Sequence, residues 1–136
     1  MSREFADADY RRLLQFRTGL RRFLHWSAQQ AESVGLTPAQ HQLLLAIRGH
    51  DDLRGPTIGD VASYLFLRHH SAVGLVDRAE SAGFVERTED QDDRRVVRLR
   101  LTEKGHDILM SLARVHLEEI KRLAPEMRAL WTGLEV

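Results

Sequence analysis

The residues best suited to chemistry lie in the stretch EDQDDRRVVRLRLTEKG, residues 89–105, where four acids and two arginines occupy seven consecutive positions. The alternating apolar and basic residues after them predict a strand, so the charged residues form the tip of a β-hairpin. An arginine at such a tip can enter a narrow minor groove of duplex DNA, whose negative potential attracts it. Arg95 is the candidate for this contact, and Arg94 is the candidate for a neighbouring phosphate.

An acid beside these arginines can hold one of them extended through a charge-assisted hydrogen bond. Asp93 is the candidate for orienting Arg95. Two alternatives stay open. Asp93 pairs instead with Arg87 on the partner strand and fixes the hairpin, or the tip is a solubilising loop whose exposed ion pairs contribute under about 1 kcal/mol.

A second candidate surface lies on a helix predicted over residues 69–82, directly before the hairpin. Apolar residues recur there at i, i+3, i+4 and i+7 and are expected to face inward: Ala72, Leu75, Val76 and Ala79. The remaining positions then face outward or flank that face: His70, Ser71, Val73, Gly74, Asp77 and Arg78. Glycine in a helix interior costs roughly 1 kcal/mol relative to alanine. Gly74 therefore indicates either close approach to a groove wall or phosphate, or an exposed glycine that is merely tolerated.

Two histidines at the start of this helix, His69 and His70, could donate to phosphates or base edges. A metal site is the weaker interpretation, because adjacent helical residues diverge by about 100° and the chain has no cysteine. Enzymatic motifs are absent as well: there is no cysteine nucleophile, no glycine-rich phosphate loop and no His-Glu-x-x-His sequence. The sequence thus predicts neither a metal, nor a cofactor, nor an enzyme.

Composition restricts the remaining classes. The chain has 136 residues, 43% hydrophobic and 29% charged, with a formal net charge of +0, which suits one soluble domain. Overall charge neither favours nor excludes nucleic acid, so any basic surface must be local. The N-terminal residues lack the apolar core of a signal peptide, and no run approaches the roughly 20 apolar residues of a membrane span. We expect a cytoplasmic protein that does not contact membranes.

Hydrophobic periodicity and capping signals predict the elements that position these surfaces. A long helix over 9–33 precedes a second helix that begins after Thr37. A short third helix begins at Thr57, with Asp60 completing a capping pair. After the helix at 69–82 and the hairpin, Thr102 opens a fifth helix that runs to about Leu123, where Pro125 is expected to separate it from a last helix containing Met127, Leu130, Trp131 and Leu134. The order α-α-α-α-β-β-α-α, mainly helical with one small hairpin, is that of a winged helix-turn-helix protein.

Four segments together resemble the MarR family of bacterial transcriptional regulators: LTPAQHQLLLAI, TIGDVASYL, SAVGLVDRAESAGFVER and DDRRVVRLRLTEKG. The resemblance covers about residues 36–105, with the motifs in the family's order and spacing. It implies an intertwined homodimer, with residues 1–34 and 102–136 as dimerisation helices and 36–101 as the DNA-binding winged helix-turn-helix.

Functional roles follow from the resemblance position by position. The family's recognition helix maps onto residues 69–82, its backbone-contacting arginine onto Arg78, and its wing-tip arginine and acid onto Arg95 and Asp93. Two positions depart from the pattern, because Arg68 stands where a polar N-cap is usual and Gly74 where a long polar side chain is usual. The residues expected to contact double-stranded DNA are Arg68, His69, His70, Ser71, Val73, Gly74, Arg78, Arg94 and Arg95.

The resemblance also implies a repressor that binds a pseudo-palindromic operator and is released by a small aromatic effector. The candidates for lining an effector pocket are Phe16, Leu20, Trp26 and His41. For Phe16 and Trp26, packing in the core or at a dimer contact is the simpler interpretation. A winged-helix scaffold that binds protein rather than DNA is the alternative function, since fold alone does not decide function.

Overall fold

The computed structural model describes residues 4–132, except the side chain of Trp131. Seven elements follow one another along the chain: α1 (Asp7–Ser33), α2 (Pro38–Gly49), α3 (Ile58–Leu65), α4 (His69–Ser81), β1 (Val85–Glu89), β2 (Val97–Leu101) and α5 (Glu103–Thr132). The two strands pair antiparallel, with Arg87 opposite Leu99. The predicted mainly helical fold with one hairpin is confirmed.

Helix starts follow the capping signals in the sequence. The hydroxyl of Thr37 accepts from the Gln40 backbone N–H at 3.1 Å, and the Gln40 side chain accepts from the Thr37 N–H at 3.0 Å. Thr57 and Asp60 form the same reciprocal pair at the start of α3. Each pair satisfies donors that the first turn of a helix leaves unpaired, which fixes where α2 and α3 begin.

The core lies between α2, α3, α4, the hairpin and the first half of α5. Its completely buried side chains come from each of these elements: Leu43, Leu44, Val61, Val76, Val85, Leu99 and Leu112. By contrast, α1 buries Ala31 in this core while Leu13, Leu14 and Leu24 are 58–64% exposed. The winged helix-turn-helix is thus a packed unit, and the two long helices α1 and α5 extend beyond it.

The separate last helix predicted after Pro125 is wrong, because α5 runs through Pro125 to Thr132. A proline in a helix removes one backbone hydrogen bond and crowds the preceding turn, but it does not always end the helix. Leu123, Ala124 and Met127, on both sides of the proline, line one groove against α1. The residues before and after the proline thus face the same groove, as in one continuous helix. Leu134 and the Trp131 side chain, also assigned to that helix, lie outside the described residues.

In the described part of the chain, no helix is both long enough and apolar enough to cross a membrane.

The base of the hairpin is joined closely to the start of α5. The Thr102 hydroxyl donates to the Gly83 carbonyl at 2.6 Å and accepts from the Gly105 N–H at 3.1 Å. Gly105 is buried, and a Cβ atom at this position would overlap the Phe84 carbonyl oxygen. Glycine is therefore required where the helix passes the backbone of the chain entering β1.

Replacing Gly105 by alanine is expected to reduce the free energy of unfolding by about 1–3 kcal/mol, because the new methyl group must push two backbone segments apart. Gly49→Ala is the matched control, since its Cβ would meet nothing within 4 Å. That variant should be as stable as the wild type or gain up to about 1 kcal/mol. Urea denaturation at equal protein concentrations measures both, and equal stabilities of the two variants would contradict the close approach.

Candidate nucleic-acid interface

The outer face of α4 is built as its periodicity predicts. Ala72, Leu75, Val76 and Ala79 are buried. The side chains assigned to the interface lie on the other face: Arg68, His69, His70, Ser71 and Arg78 are exposed, and Val73 and Gly74 are partly exposed. The helix thus presents a surface of small and basic residues to solvent.

The N-terminus of α4 is left open by its cap residue. Arg68 occupies the N-cap position with an extended backbone, and its side chain makes no capping hydrogen bond. The preceding turn passes through Phe66, which adopts a left-handed conformation with φ of 53° and is 97% exposed. Unpaired N–H groups and the helix dipole make such an N-terminus suitable for an anion.

Gly74 gives room to Arg78, one turn later on α4. A Cβ atom built at position 74 would lie 3.3 Å from Nη1 of Arg78. The guanidinium therefore folds back along the helix toward its N-terminus, the direction in which long helical side chains point. The glycine brings this positive charge close to the helix surface.

Arg87 does not pair with Asp93, so the predicted role of Arg87 in orienting the hairpin tip is wrong. Its guanidinium donates to Asp77 at 2.5 Å and to Glu80 at 2.6 Å, both on α4. The Asp77 hydrogen bond is the main reason that the pKa of Arg87 is raised. Two carboxylates that flank the α4 surface are closer to Arg87 than the acid at the tip, and they tie β1 to α4.

At the hairpin tip, Asp93 and Arg95 form a compact pair. The Asp93 carboxylate accepts from the backbone N–H of Arg95 at 3.1 Å, from its Nε at 3.1 Å and from its Nη2 at 3.2 Å. These bonds, the side-chain one first, lower the pKa of Asp93. The Arg95 side chain is 91% exposed, and Arg94 beside it is exposed as well. The geometry matches the expectation that Asp93 orients Arg95, while the contact of Arg95 with DNA stays a prediction.

A buried ion pair anchors the base of this tip, and the sequence pattern did not reveal it. Alternation placed Arg98 on the solvent side of β2, yet its side chain is only 15% exposed and that of Asp90 only 5%. Arg98 Nη2 donates to Asp90 Oδ2 at 3.0 Å, and the Asp92 N–H donates to Oδ1 at 3.1 Å. The backbone N–H of Asp90 donates to the Val96 carbonyl at 2.9 Å, closing the loop between the strands.

The loop between α2 and α3 is joined to the same anchor. Arg98 Nη1 donates to the Gly55 carbonyl at 3.3 Å, and the Leu99 N–H donates to the Pro56 carbonyl at 2.8 Å. Arg54 binds Asp52 with its guanidinium and lies 3.7 Å from Asp90. A charge network therefore connects this loop to the hairpin.

His69 and His70 are exposed, and no group of three or more metal-ligating side chains occurs within residues 4–132. The contact of this pair with DNA stays a prediction.

The four residues expected to line an effector pocket divide between two places. His41 is buried, and both it and Trp26 lie against His116, with ring centroids 4.8 Å apart in each case. Leu20 instead lines the groove between α1 and α5, and Phe16 is half-buried on α1. His116, which the sequence reasoning missed, bonds both the Ser27 hydroxyl and the Leu112 carbonyl at 2.7 Å. Burial, and then the charge of His116, lower the pKa of His41, which favours the neutral form of its ring.

Comparison with known proteins gives one family. The family model described as MarR family matches residues 34–96. YfiV of Bacillus subtilis, an HTH-type transcriptional regulator, is 31% identical over 108 residues, which are 76% of this chain and 66% of YfiV. BadR of Rhodopseudomonas palustris, a transcriptional activatory protein, is 33% identical over 91 residues, which are 66% of this chain and 52% of BadR. The chain therefore spans somewhat less than two thirds of one relative and about half of the other.

Solved structures of MepR, a transcription regulator of Staphylococcus aureus, have the same fold. MepR is 20% identical and superposes with a TM-score of 0.77 over 96% of both chains. The structure of its complex with DNA matches at 21% identity with a TM-score of 0.69, over 96% of this chain and 97% of MepR. At these identities the likeness concerns the fold, and it confirms the winged helix-turn-helix architecture.

The Asp90 anchor is expected to make stability depend on pH. Hydrogen bonds from the Asp92 N–H and from Arg98 stabilise the charged form and lower the pKa of Asp90. The group therefore adds stability above its unfolded pKa of about 4, and this stability is lost as the pH falls through the lowered folded value. Asp90→Asn should be less stable than the wild type at pH 7, with the difference shrinking toward pH 3, in urea denaturation.

Asp92→Asn is the control, because the Asp92 side chain is 86% exposed and should change stability little at any pH. A difference between wild type and Asp90→Asn that stays constant from pH 7 to pH 3 would show that the charge of Asp90 is not what holds the hairpin.

Proposed function

The chain belongs to the MarR family, and from this premise we propose that it is a transcriptional regulator that binds duplex DNA as a homodimer. Its relatives are regulators, in agreement with the expectation that the chain is not an enzyme. The single observation that carries the proposal is the joint exposure of the α4 outer face and of Arg95 at the hairpin tip. A helix and an arginine held on one rigid unit suit a major groove and the minor groove beside it.

The proposed basic surface is local, so it is compatible with a formal net charge of +0 over the whole chain. Carboxylates near the interface are already engaged: Asp77 and Glu80 by Arg87, and Asp93 by Arg95. Neither Arg68 nor Arg78 has an ion-pair partner among residues 4–132, and the open α4 N-terminus lies beside them. Phosphates are therefore attracted to this face even though acids and bases balance over the chain.

Each candidate contact has its own role in this proposal. Ser71, His70 and Val73 face base edges, where Val73 can meet a thymine methyl group. Arg78, Arg94 and Arg68 bind phosphates, which supply most of the affinity and make it fall steeply with salt. Gly74 lets the helix approach closely, and Arg95 enters the minor groove.

Homodimerisation is supported by the apolar surface of α1 and α5. Leu24 is 58% exposed, Leu117 60% and Ile120 49%. Between the two helices lies an apolar groove of about 730 Å³. Exposed apolar area of this kind marks a protein contact. A second copy would place two α4 helices on half-sites about one helical turn, or roughly 34 Å, apart.

We further propose that the bound dimer represses transcription and that an aromatic effector controls it. A dimer on an operator that overlaps a promoter excludes polymerase sterically, whereas BadR is named an activatory protein. The ring cluster of Trp26, His41 and His116 is the support for an aromatic effector. A reporter fused to the selected operator, assayed with and without the gene for this chain, decides the sign of regulation.

Selection of bound duplexes from random genomic fragments, followed by footprinting, tests the function directly. A protected site with two half-sites about one turn apart is expected. If no sequence is enriched, the protein-interaction scaffold is the better description.

Arg95→Ala is expected to lower affinity for the selected operator by roughly 5- to 150-fold, the effect of losing one specific contact of about 1–3 kcal/mol. Sedimentation should show the dimer unchanged. Arg114→Ala, an exposed position on α5 away from the hairpin tip, is the control and should bind like the wild type. Unchanged affinity of Arg95→Ala in a gel-shift series would remove the hairpin tip from the mechanism.

Leu24→Asp and Leu117→Asp should each shift the chain from dimer to monomer and weaken operator binding together with it, because a charge replaces apolar contact area. Leu45→Asp is the control with the same chemical change, because Leu45 is also exposed, at 55%, but lies on α2, outside the proposed dimerisation helices. Sedimentation equilibrium measures all three. A wild type that is monomeric at micromolar concentration would refute the dimer.

A further inference from the structure

Two carboxylates lie on α4, the helix proposed to meet DNA, where negative charge is unexpected. Asp77 follows His70 by seven residues, or almost two helical turns, so both project from the same side of the helix. Glu80 lies about one turn after Asp77. The Asp77 side chain is 58% exposed and that of Glu80 is 43% exposed. Because carboxylates repel phosphates, acids at this place oppose the binding that the rest of the face favours.

Arg87 reaches both carboxylates from β1. Its Nη2 donates to Asp77 Oδ1 at 2.5 Å, and its Nη1 donates to Glu80 Oε1 at 2.6 Å. Arg78, next to Asp77 on α4, forms no ion pair within residues 4–132. Of the two arginines beside these acids, Arg87 is therefore engaged and Arg78 is available to a phosphate.

The three side chains, which we call the Asp77–Arg87–Glu80 triad, carry unbalanced charge. Two carboxylates and one guanidinium leave one formal negative charge. At the hairpin tip, by contrast, Asp93 is matched by Arg95. Position 77 lies about 4.5 Å along the helix axis from Gly74, within the Debye length of about 8 Å at physiological salt. The charge of the triad therefore acts on phosphates that lie against this part of α4.

A purely mechanical role explains the triad less well. One carboxylate is enough to tie β1 to α4 through Arg87, and exposed ion pairs stabilise a fold little. The core already joins the two elements, because Val76 and Ala79 of α4 and Val85 of β1 belong to one buried cluster. The second carboxylate thus changes the charge of the face more than it changes the attachment of the strand.

We propose that Asp77 and Glu80 restrain the affinity of the α4 face for DNA, and that Arg87 limits this restraint by neutralising part of their charge. The inference rests on the proposed DNA binding. Attraction to phosphates does not depend on sequence, so the restraint acts on the operator and on unrelated duplex alike. Arg87 is a positioning residue that acts through the two acids. The restraint leaves less of the protein bound to unrelated DNA, which is present in large excess over the operator.

The experiment measures dissociation constants for the selected operator and for a scrambled duplex of equal length, by fluorescence anisotropy at several salt concentrations. Asp77→Asn/Glu80→Gln is the principal variant, since each amide keeps an acceptor oxygen for Arg87 and loses the negative charge. It should bind both duplexes roughly fivefold more tightly near 0.15 M salt, the effect of about one more neutralised phosphate. The slope of log affinity against log salt should steepen by about 0.9.

Arg87→Gln should have the opposite effect and bind both duplexes roughly fivefold more weakly, because it leaves both carboxylates uncompensated. Adding Asp77→Asn and Glu80→Gln to Arg87→Gln removes every charge of the triad. This triple variant should bind at least as tightly as the wild type. A triad that only ties β1 to α4 predicts instead that all three variants bind more weakly.

Glu119→Gln is the matched control, because Glu119 also pairs with an arginine, Arg122, but both lie on α5. It removes the same charge and should leave both affinities unchanged, with melting temperatures showing that every variant is folded. Weaker binding by Asp77→Asn/Glu80→Gln, or a triple variant as weak as Arg87→Gln, would overturn the inference while the wild type still binds its operator. A wild type that binds neither duplex would refute the proposed function, and the inference with it.

Discussion

The geometry of the hairpin depends on one buried ion pair, Asp90 with Arg98. A buried carboxylate is stable only when its hydrogen-bonding capacity is met, and Asp90 achieves this with the Asp92 N–H and the Arg98 guanidinium. Arg98 in turn reaches the Gly55 carbonyl. The direction of the exposed tip, and with it the position of Arg95, follows from this anchor. Among residues 4–132, the buried Nε atom of Arg98 has no hydrogen-bond partner.

The anchor explains why acids crowd beside arginines in the stretch 89–95. Asp90 supports the hairpin from inside, Asp93 holds Arg95, and Asp92 lies on the surface near Arg54. Arg87 has the complementary role, since it engages two carboxylates of α4. Equal numbers of acids and bases therefore do not mean a featureless surface. The pairing consumes charges inside the unit and leaves selected arginines outside it.

Local patterns predicted the features that local physics determines. The N-cap at Thr37, the capping pair at Thr57, the buried face of α4 and the hairpin at 85–101 all follow from spacing within a few residues. Contacts between distant residues could not be predicted: Arg98 alternates as a surface residue does, and only the fold brings Asp90 to it. Likewise Leu20 and His41, expected to line one pocket, lie in different places, and α5 continues through Pro125, where sequence alone predicts a break. The acid eight positions before an arginine of the second strand is the signal that could have indicated the anchor.

The uncapped start of α4 has a consequence for binding. The Arg68 side chain does not cap the first turn of α4, so the N–H groups of that turn stay available to an anion. An anion that binds there displaces no capping side chain, and none of its binding free energy is spent on breaking such a contact.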